Sequence, residues 1–173
     1  MILGMSTPTF TLMHVVVSLI GIFSGGIVVI NMLRSRRSEG WTALFLASTI
    51  LTSVTGFPIP PFGFDPPRAV GVISLILLAA ALFARYREHL AGTWRWIYVV
   101  SVTAALYLNV FVGVVQAFQK LAFLERLAPT QSEPPFLVAQ LVVVAIFILL
   151  GFSAVRRFHP ETTHRTQSVE VAR

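Results

Sequence analysis

The stretch 94–120 constrains the fold most, because it has the length and apolar character of a membrane span and also carries a polar face. At 100° per residue, most of its polar side chains fall in one sector about 100° wide, the width of one helix face. The sector contains Trp94, Tyr98, Ser101, Ala105, Asn109, Val112, Gln116, Gln119 and Lys120. Because an unpaired amide in hydrocarbon is costly, this face must contact other helices or a water-filled cavity.

The composition also indicates a membrane protein. Of the 173 residues, 55% are hydrophobic and 12% are charged, whereas globular domains carry about 25% charged residues. The net charge of +6 is explained by arginines that flank apolar segments, so we predict a lipid bilayer and no nucleic acid as partner. The chain has no cysteine, which excludes disulfides, cysteine-bound metals and thiol catalysis.

Five apolar segments predict an all-α fold, an integral membrane bundle of five transmembrane helices that occupies residues 1–158. We expect the spans at about 10–33, 41–57, 69–84, 96–119 and 136–155, close to the length of about 20 residues that a bilayer requires. Residues 159–173 are polar and are predicted to form a disordered cytoplasmic tail. The proline-rich run FPIPPFGFDPPR (57–68) is predicted to be non-helical, and 121–127 to form a short helix at the membrane surface.

The positive charges predict the orientation of the bundle. In a five-span arrangement ten of them lie on one side: Arg34, Arg36, Arg37, Arg85, Arg87, Arg95, Arg156, Arg157, Arg165 and Arg173. Only Arg68, Lys120 and Arg126 lie on the other side. Because short cytoplasmic loops are enriched in Lys and Arg, we predict an N-out/C-in orientation. Omitting the second span would scatter these charges over both sides.

Polar residues inside the predicted spans are concentrated toward the outer face. His14, Asn109, Gln116 and Gln140 all fall in the middle or outer part of their spans, and intramembrane polar groups are candidates for function. Our hypothesis is a small polar pocket that opens outward and binds or passes a quinone, a lipid or a neutral solute. The alternative is that the amides bridge neighbouring helices, with about 1 kcal/mol for each hydrogen bond.

His14 is the only histidine within a predicted span, and an imidazole can bond a quinone carbonyl or relay a proton. Two-histidine haem ligation would need a second ring at similar depth, but His89, His159 and His164 fall in cytoplasmic segments. The carboxylates lie in loops or tails, and no catalytic motif is present. We therefore predict no catalytic residue, no metal and no cofactor. The simplest role for His14 is that of an interfacial histidine bonded to a backbone carbonyl.

Two further patterns concern packing. Gly21 and Gly25 form a GxxxG pair, which lets a second helix approach closely, either inside the bundle or at a dimer contact. Trp94, Trp96 and Tyr98 are typical of the aromatic belt at a membrane surface.

Three blocks of the chain carry a resemblance: GWTALFLASTILTSVTGFPIPPFGFDP (40–66), RWIYVVSVTAALYLNVFVGVVQAFQK (95–120) and LAPTQSEPPF (127–136). They are similar to segments of a group of small bacterial inner-membrane proteins of uncharacterised activity. The resemblance implies a multi-pass protein of the bacterial inner membrane, and it implies no activity.

Three functions fit the sequence. The first is a non-catalytic accessory subunit that binds another membrane protein or a second copy of itself. The second is the outward-facing pocket for a small ligand. The third is a membrane redox protein or enzyme that uses His14.

Overall fold

Each long apolar segment of the sequence forms a helix, the structure that satisfies backbone hydrogen bonds without water. A computed structural model describes residues 4–59 and 66–160. Within them the helices are α1 (Thr7–Leu33), α2 (Glu39–Gly56), α3 (Pro66–Leu82), α4 (Thr93–Lys120), α5 (Ala122–Leu127) and α6 (Pro134–Arg157). A π-helical turn, Phe83–Arg87, continues α3. The chain is therefore all-helical in these ranges, and α5 confirms the short helix predicted at 121–127.

Four helical segments are long and apolar enough to cross a membrane: Thr7–Leu33, Pro66–Arg87, Thr93–Lys120 and Pro134–Arg157. The remaining long helix, α2, has 18 residues and is rich in hydroxyl side chains. Most of the predicted proline-rich loop (60–65) and of the predicted tail (161–173) lies outside the described residues.

The prediction that the whole of 57–68 is non-helical is wrong at its end. Pro66 and Pro67 form the first turn of α3, just as Pro134 and Pro135 form the first turn of α6. Proline is tolerated there because the first backbone N–H groups of a helix have no partner within it, and because its fixed φ angle suits the first turn.

The central element is α4, which packs against α1, α3 and α6. Since α1 also packs on α2 and α2 on α3, the helices α1 to α4 close into a ring. Along α4, Tyr98, Ser101 and Ala105 are buried, whereas Gln119 and Lys120 are exposed. The polar face predicted for 94–120 thus points into the bundle over its first half and reaches the surface at its end.

Gly25 allows a close approach of α1 to α2 and α4. A Cβ atom at this position would lie 2.6 Å from Cδ1 of Leu106 and 2.7 Å from Cδ2 of Phe45. Gly21 is buried one turn away, whereas a Cβ atom at the neighbouring Gly26 would have no atom within 4 Å. Both residues of the GxxxG pair therefore serve packing inside the bundle, one of the two predicted uses.

One end of the bundle, which we call the basic end, contains the end of α1, the start of α2, the end of α3, the start of α4 and the end of α6. Its arginines are Arg34, Arg36, Arg37, Arg85, Arg87, Arg95, Arg156 and Arg157. Arg95 holds α6 here, because its Nη1 donates to the carbonyl oxygens of Val155 at 3.2 Å and Phe158 at 2.6 Å. The Val155 carbonyl belongs to the last turn of α6, where helix C=O groups lack partners, and Phe158 is the residue that caps this end.

Candidate functional site

Polar side chains of α1, α2 and α4 meet along a line that runs from the middle of the bundle to the end opposite the basic end. We call this line the polar seam, and it consists of His14, Ser18, Ser48, Thr49, Thr55 and Asn109. The hydroxyls of Ser18, Ser48 and Thr55 donate to the carbonyl four residues earlier in their own helix, at 2.6 to 2.8 Å. Such bonds satisfy a hydroxyl within an apolar environment.

His14 joins α1 to α2 within the seam. Its Nδ1 lies 2.9 Å from Oγ1 of Thr55, and the Thr55 hydroxyl donates its own proton to the carbonyl of Leu51 at 2.7 Å. A neutral His14 ring must therefore carry its proton on Nδ1 and donate it to Thr55, so Nε2 is left as an acceptor. The predicted bond to a backbone carbonyl is wrong, since a side-chain hydroxyl takes that place.

Asn109 joins α4 to α2 nearer the middle of the bundle. Its Nδ2 donates to Oγ1 of Thr49 at 3.1 Å. Gly21 lies against this bond: a Cβ atom there would be 3.2 Å from Thr49 Oγ1 and 3.4 Å from Asn109 Nδ2. Because Gly21 has no side chain, α1 can lie close to α2 and α4 at the point where Asn109 bonds to Thr49.

The other two predicted pocket residues behave differently. Gln140 of α6 donates from Nε2 to the carbonyl of Phe111 on α4 at 3.3 Å, and its buried Oε1 has no partner in the described part of the chain. Gln116 is half-buried. No hydrogen bond joins any two of His14, Asn109, Gln116 and Gln140 among the described residues. Asn109 and Gln140 each bridge two helices, as the alternative to the pocket predicts.

The polar seam offers hydrogen-bonding groups: hydroxyls, the amide of Asn109 and the imidazole of His14. The seam contains no carboxylate, and residues 4–59 and 66–160 hold no group of three or more His, Cys, Asp or Glu that could bind a metal ion. Nε2 of His14 is one acceptor available to a ligand. The hydroxyl of Thr52, on the same helix as Thr49 and Thr55, is buried without a hydrogen-bond partner in the described ranges.

A second polar cluster lies at the basic end, around Arg85 in the π-helical turn. Arg85 is only 8% exposed. Its Nη1 donates to the hydroxyl of Tyr98 at 3.3 Å, and its Nη2 donates to Oε1 of Glu39 at 3.1 Å. Its guanidinium carbon also lies 5.6 Å from the ring centroids of Tyr86 and Tyr98. A buried charge needs such pairing, because desolvation without it costs far more than folding can offset.

Sequence reasoning missed this cluster. It treated Arg85 only as an interfacial charge and placed Tyr98 in an aromatic belt, but Tyr98 is 1% exposed and lies in the core. Trp96, at 45% exposed, does lie at the surface as predicted. The usable signal was the position of Tyr98 on the same helical face as Ser101, which indicates that its hydroxyl points inward and requires a partner.

A groove lies between α4 and α6, with a volume of about 400 Å³ and one side open to the surroundings. Residues that line it include Thr103, Tyr107, Phe147, Ile148, Gly151 and Phe152. The lining is almost entirely apolar, and the buried hydroxyl of Thr103 has no hydrogen-bond partner in the described residues. None of the four predicted pocket residues lines this groove.

Comparison of the chain with protein-family models, with curated proteins and with solved structures finds no match.

Proposed function

We propose that this chain is a five-span protein of the bacterial inner membrane, with α2 as the fifth span. Two contacts support a crossing by α2: Glu39 at its start pairs with Arg85 at the end of α3, and Thr55 at its end pairs with His14 near the start of α1. Its 18 residues extend over about 27 Å at 1.5 Å per residue. That length is close to the hydrocarbon thickness of about 30 Å.

The proposed orientation has the amino terminus outside and the basic end in the cytoplasm. The distribution of charge supports this orientation. The basic end has eight arginines, whereas the opposite end has three basic residues, Arg68, Lys120 and Arg126. This asymmetry, over short loops, is what membrane insertion responds to.

The role that we propose is non-catalytic: an accessory subunit that binds another membrane protein through α6. One observation carries the proposal. Only Ala154 of α6 is fully buried, whereas Leu141 and Leu149 are 65% and 67% exposed on its apolar surface. Meanwhile His14 and Asn109 hold the bundle together instead of facing outward. Among the long helices, α6 contributes the fewest buried residues to the core, and its apolar surface is therefore open to a second protein.

Native mass spectrometry of the gently solubilised protein from its own host membrane tests this role. We expect an added protein mass in fixed stoichiometry, and we expect it to be lost when Leu141→Ala and Leu149→Ala are combined. The matched control combines Leu12→Ala and Leu19→Ala on α1, where the leucines are 65% and 59% exposed. A bare monomer in the wild type, or equal loss in both variants, would contradict the proposal.

A second candidate function is the binding of a small neutral ligand at the outer end of the polar seam. The free Nε2 of His14 and the buried, unpartnered hydroxyl of Thr52 favour it. An added mass of a few hundred daltons that disappears in Thr52→Val and survives in Gln119→Leu, a control at an exposed position of α4, would support it. A redox role for His14 has no supporting contact among the described residues.

A further inference from the structure

The groove between α4 and α6 has the length of one membrane leaflet. Its wall on α6 runs from Val144 to Val155, which at 1.5 Å per residue is about 16 Å. Half of the bilayer's hydrocarbon core is about 15 Å thick. The groove ends at Val155, directly before the arginines of the basic end, so it covers the half of the bundle next to that end.

Small side chains determine the depth of the groove. Ala104 and Thr103 on α4 face Gly151 on α6, where a Cβ atom would lie 3.5 Å from Cγ2 of Thr103. Ile148 and Phe152 stand on either side and are 64% and 57% exposed. The result is an apolar channel that opens sideways, with a volume within the usual range of ligand pockets, about 300–1,000 Å³.

Two guanidinium groups stand at the basic end of this groove. Arg156 lies over the ring of Phe152, with its guanidinium carbon 4.1 Å from the ring centroid, and it has no carboxylate partner in the described ranges. Arg95 donates Nη1 to the carbonyl of Val155, while its Nε and Nη2 make no hydrogen bond to the described residues. Unused donors at the end of an apolar groove complement an anion that carries a hydrocarbon chain.

We propose that this groove binds an anionic phospholipid of the cytoplasmic leaflet. One acyl chain lies between α4 and α6, and the phosphate accepts hydrogen bonds from Arg156 and Arg95. The assignment of leaflet rests on the orientation proposed above, whereas binding itself depends only on the groove and its arginines. Lipid and protein produce distinct added masses, so failure of the accessory-subunit proposal and failure of this one are distinguishable.

The test is a titration of the full-length, delipidated protein in detergent, followed by native mass spectrometry. The probes are phosphatidylglycerol, phosphatidylcholine with the same acyl chains, and glycerol 3-phosphate, which has the anionic group without a chain. We expect one tightly retained phosphatidylglycerol, several-fold weaker retention of phosphatidylcholine and no retention of glycerol 3-phosphate. Equal retention of the two lipids, or retention of glycerol 3-phosphate, would overturn the proposal.

Two pairs of variants test the position of the lipid. Gly151→Leu fills the groove and should abolish retention, whereas Gly26→Leu adds the same side chain to α1 where a Cβ atom has no neighbour within 4 Å. Arg156→Gln should weaken binding roughly fivefold, which corresponds to about 1 kcal/mol for each arginine near an anionic lipid. Arg157→Gln, its exposed neighbour, should have less effect.

The arginine pair lies on the surface and so remains informative if Gly151→Leu does not fold. Equal binding by Arg156→Gln and Arg157→Gln would overturn the headgroup contact. Unchanged lipid retention by folded Gly151→Leu, or loss of a dimer or a partner protein instead of the lipid, would overturn the groove assignment.

Discussion

At the scale of single residues, the contrast between two adjacent glycines on α1 is the sharpest packing feature. A methyl group at Gly25 would meet Phe45 and Leu106 at less than 3 Å, whereas one at Gly26 would meet no atom within 4 Å. Phe45 is fully buried, so its ring cannot move away without displacing other core side chains.

We therefore expect Gly25→Ala to lower the free energy of unfolding by about 1–3 kcal/mol, the usual cost of overpacking. Gly26→Ala should leave stability unchanged or slightly higher, because alanine favours helix. Thermal unfolding of the two variants in the same detergent measures the difference. Equal midpoints would show that α1 and α2 are farther apart than the structure places them.

Glu133, which precedes α6, gives the loop before that helix a dependence on pH. Slight desolvation raises the pKa of its carboxyl group, but hydrogen bonds from the Thr130 side chain and from nearby backbone amides outweigh it, so the pKa is lower than usual. A carboxyl whose pKa is lower in the folded state stabilises that state above its ordinary pKa, near 4.3, and the effect disappears as pH falls through the folded value.

Protection of the Thr130 and Ser132 amides from hydrogen exchange should therefore be complete above about pH 5 and decline in acid. Both amides donate to the Glu133 carboxylate, at 3.2 and 3.1 Å. In Glu133→Gln the pH dependence should vanish. Protection that rises in acid would give the opposite sign and contradict this assignment.

The sequence shows which polar residues of the spans need hydrogen-bond partners, but it does not show which partners they find. The spacing of Asn109 on α4 indicates an inward position, but the identity of its partner, Thr49, depends on how α2 rotates against α4. For Gln140 the partner is the backbone carbonyl of Phe111. Every residue has a backbone carbonyl, so the sequence does not show which one accepts the bond. The bond from His14 to Thr55 depends likewise on the register between α1 and α2.

At the scale of elements, the π-helical turn at the end of α3 changes which way Arg85 points. A turn with one extra residue rotates the residues after it relative to an α-helix, and here Arg85 lies against Tyr98 and Glu39. Removal of one partner of a buried charge costs more than removal of the charge itself. Loss of Glu39 alone should therefore lower stability more than loss of Glu39 and the Arg85 charge together.

We expect Glu39→Gln to lower stability by about 1 kcal/mol, a value reduced because Glu39 is largely exposed. Adding Arg85→Met should recover most of this loss, because the buried charge is then absent and an apolar side chain of similar size fills the site. Thermal unfolding of the single and double variants tests this. A double variant that is less stable than Glu39→Gln alone would show that the charge itself stabilises the bundle.

Elements were predicted well where apolar length dominates and poorly at their ends. The start of α3 was missed because proline was taken to exclude helix, although Pro66 and Pro67 occupy the turn where it is tolerated. The π-helical turn was not predicted either; it contains Arg85, whose partners Glu39 and Tyr98 lie on α2 and α4.

At the scale of the whole molecule, the number of crossings decides the topology. The chain has no cysteine, so single cysteines can be labelled without background. With five spans, Gly40→Cys and Ala91→Cys should both react with a membrane-impermeant maleimide only after permeabilisation. Glu125→Cys should react in intact cells. If α2 did not cross, positions 40 and 91 would be on opposite sides and would react differently.

The all-helical architecture of the described residues was predictable from the long apolar segments of the sequence. The groove between α4 and α6 was not, because its lining residues are those that any span contains. It exists because Gly151 faces Thr103 and Ala104, a coincidence of register that two separate apolar segments do not reveal.

The closed ring of α1 to α4 has a consequence for biosynthesis. These helices leave the ribosome before α6, so the ring contacts can form before α6 is made. By contrast, α6 emerges after the ring and docks on the outside of α4, where Arg95 donates to carbonyl groups at its end. A nascent chain paused before Pro134 therefore already contains every helix of the ring. The helix α6 then packs against a surface that the ring has already formed.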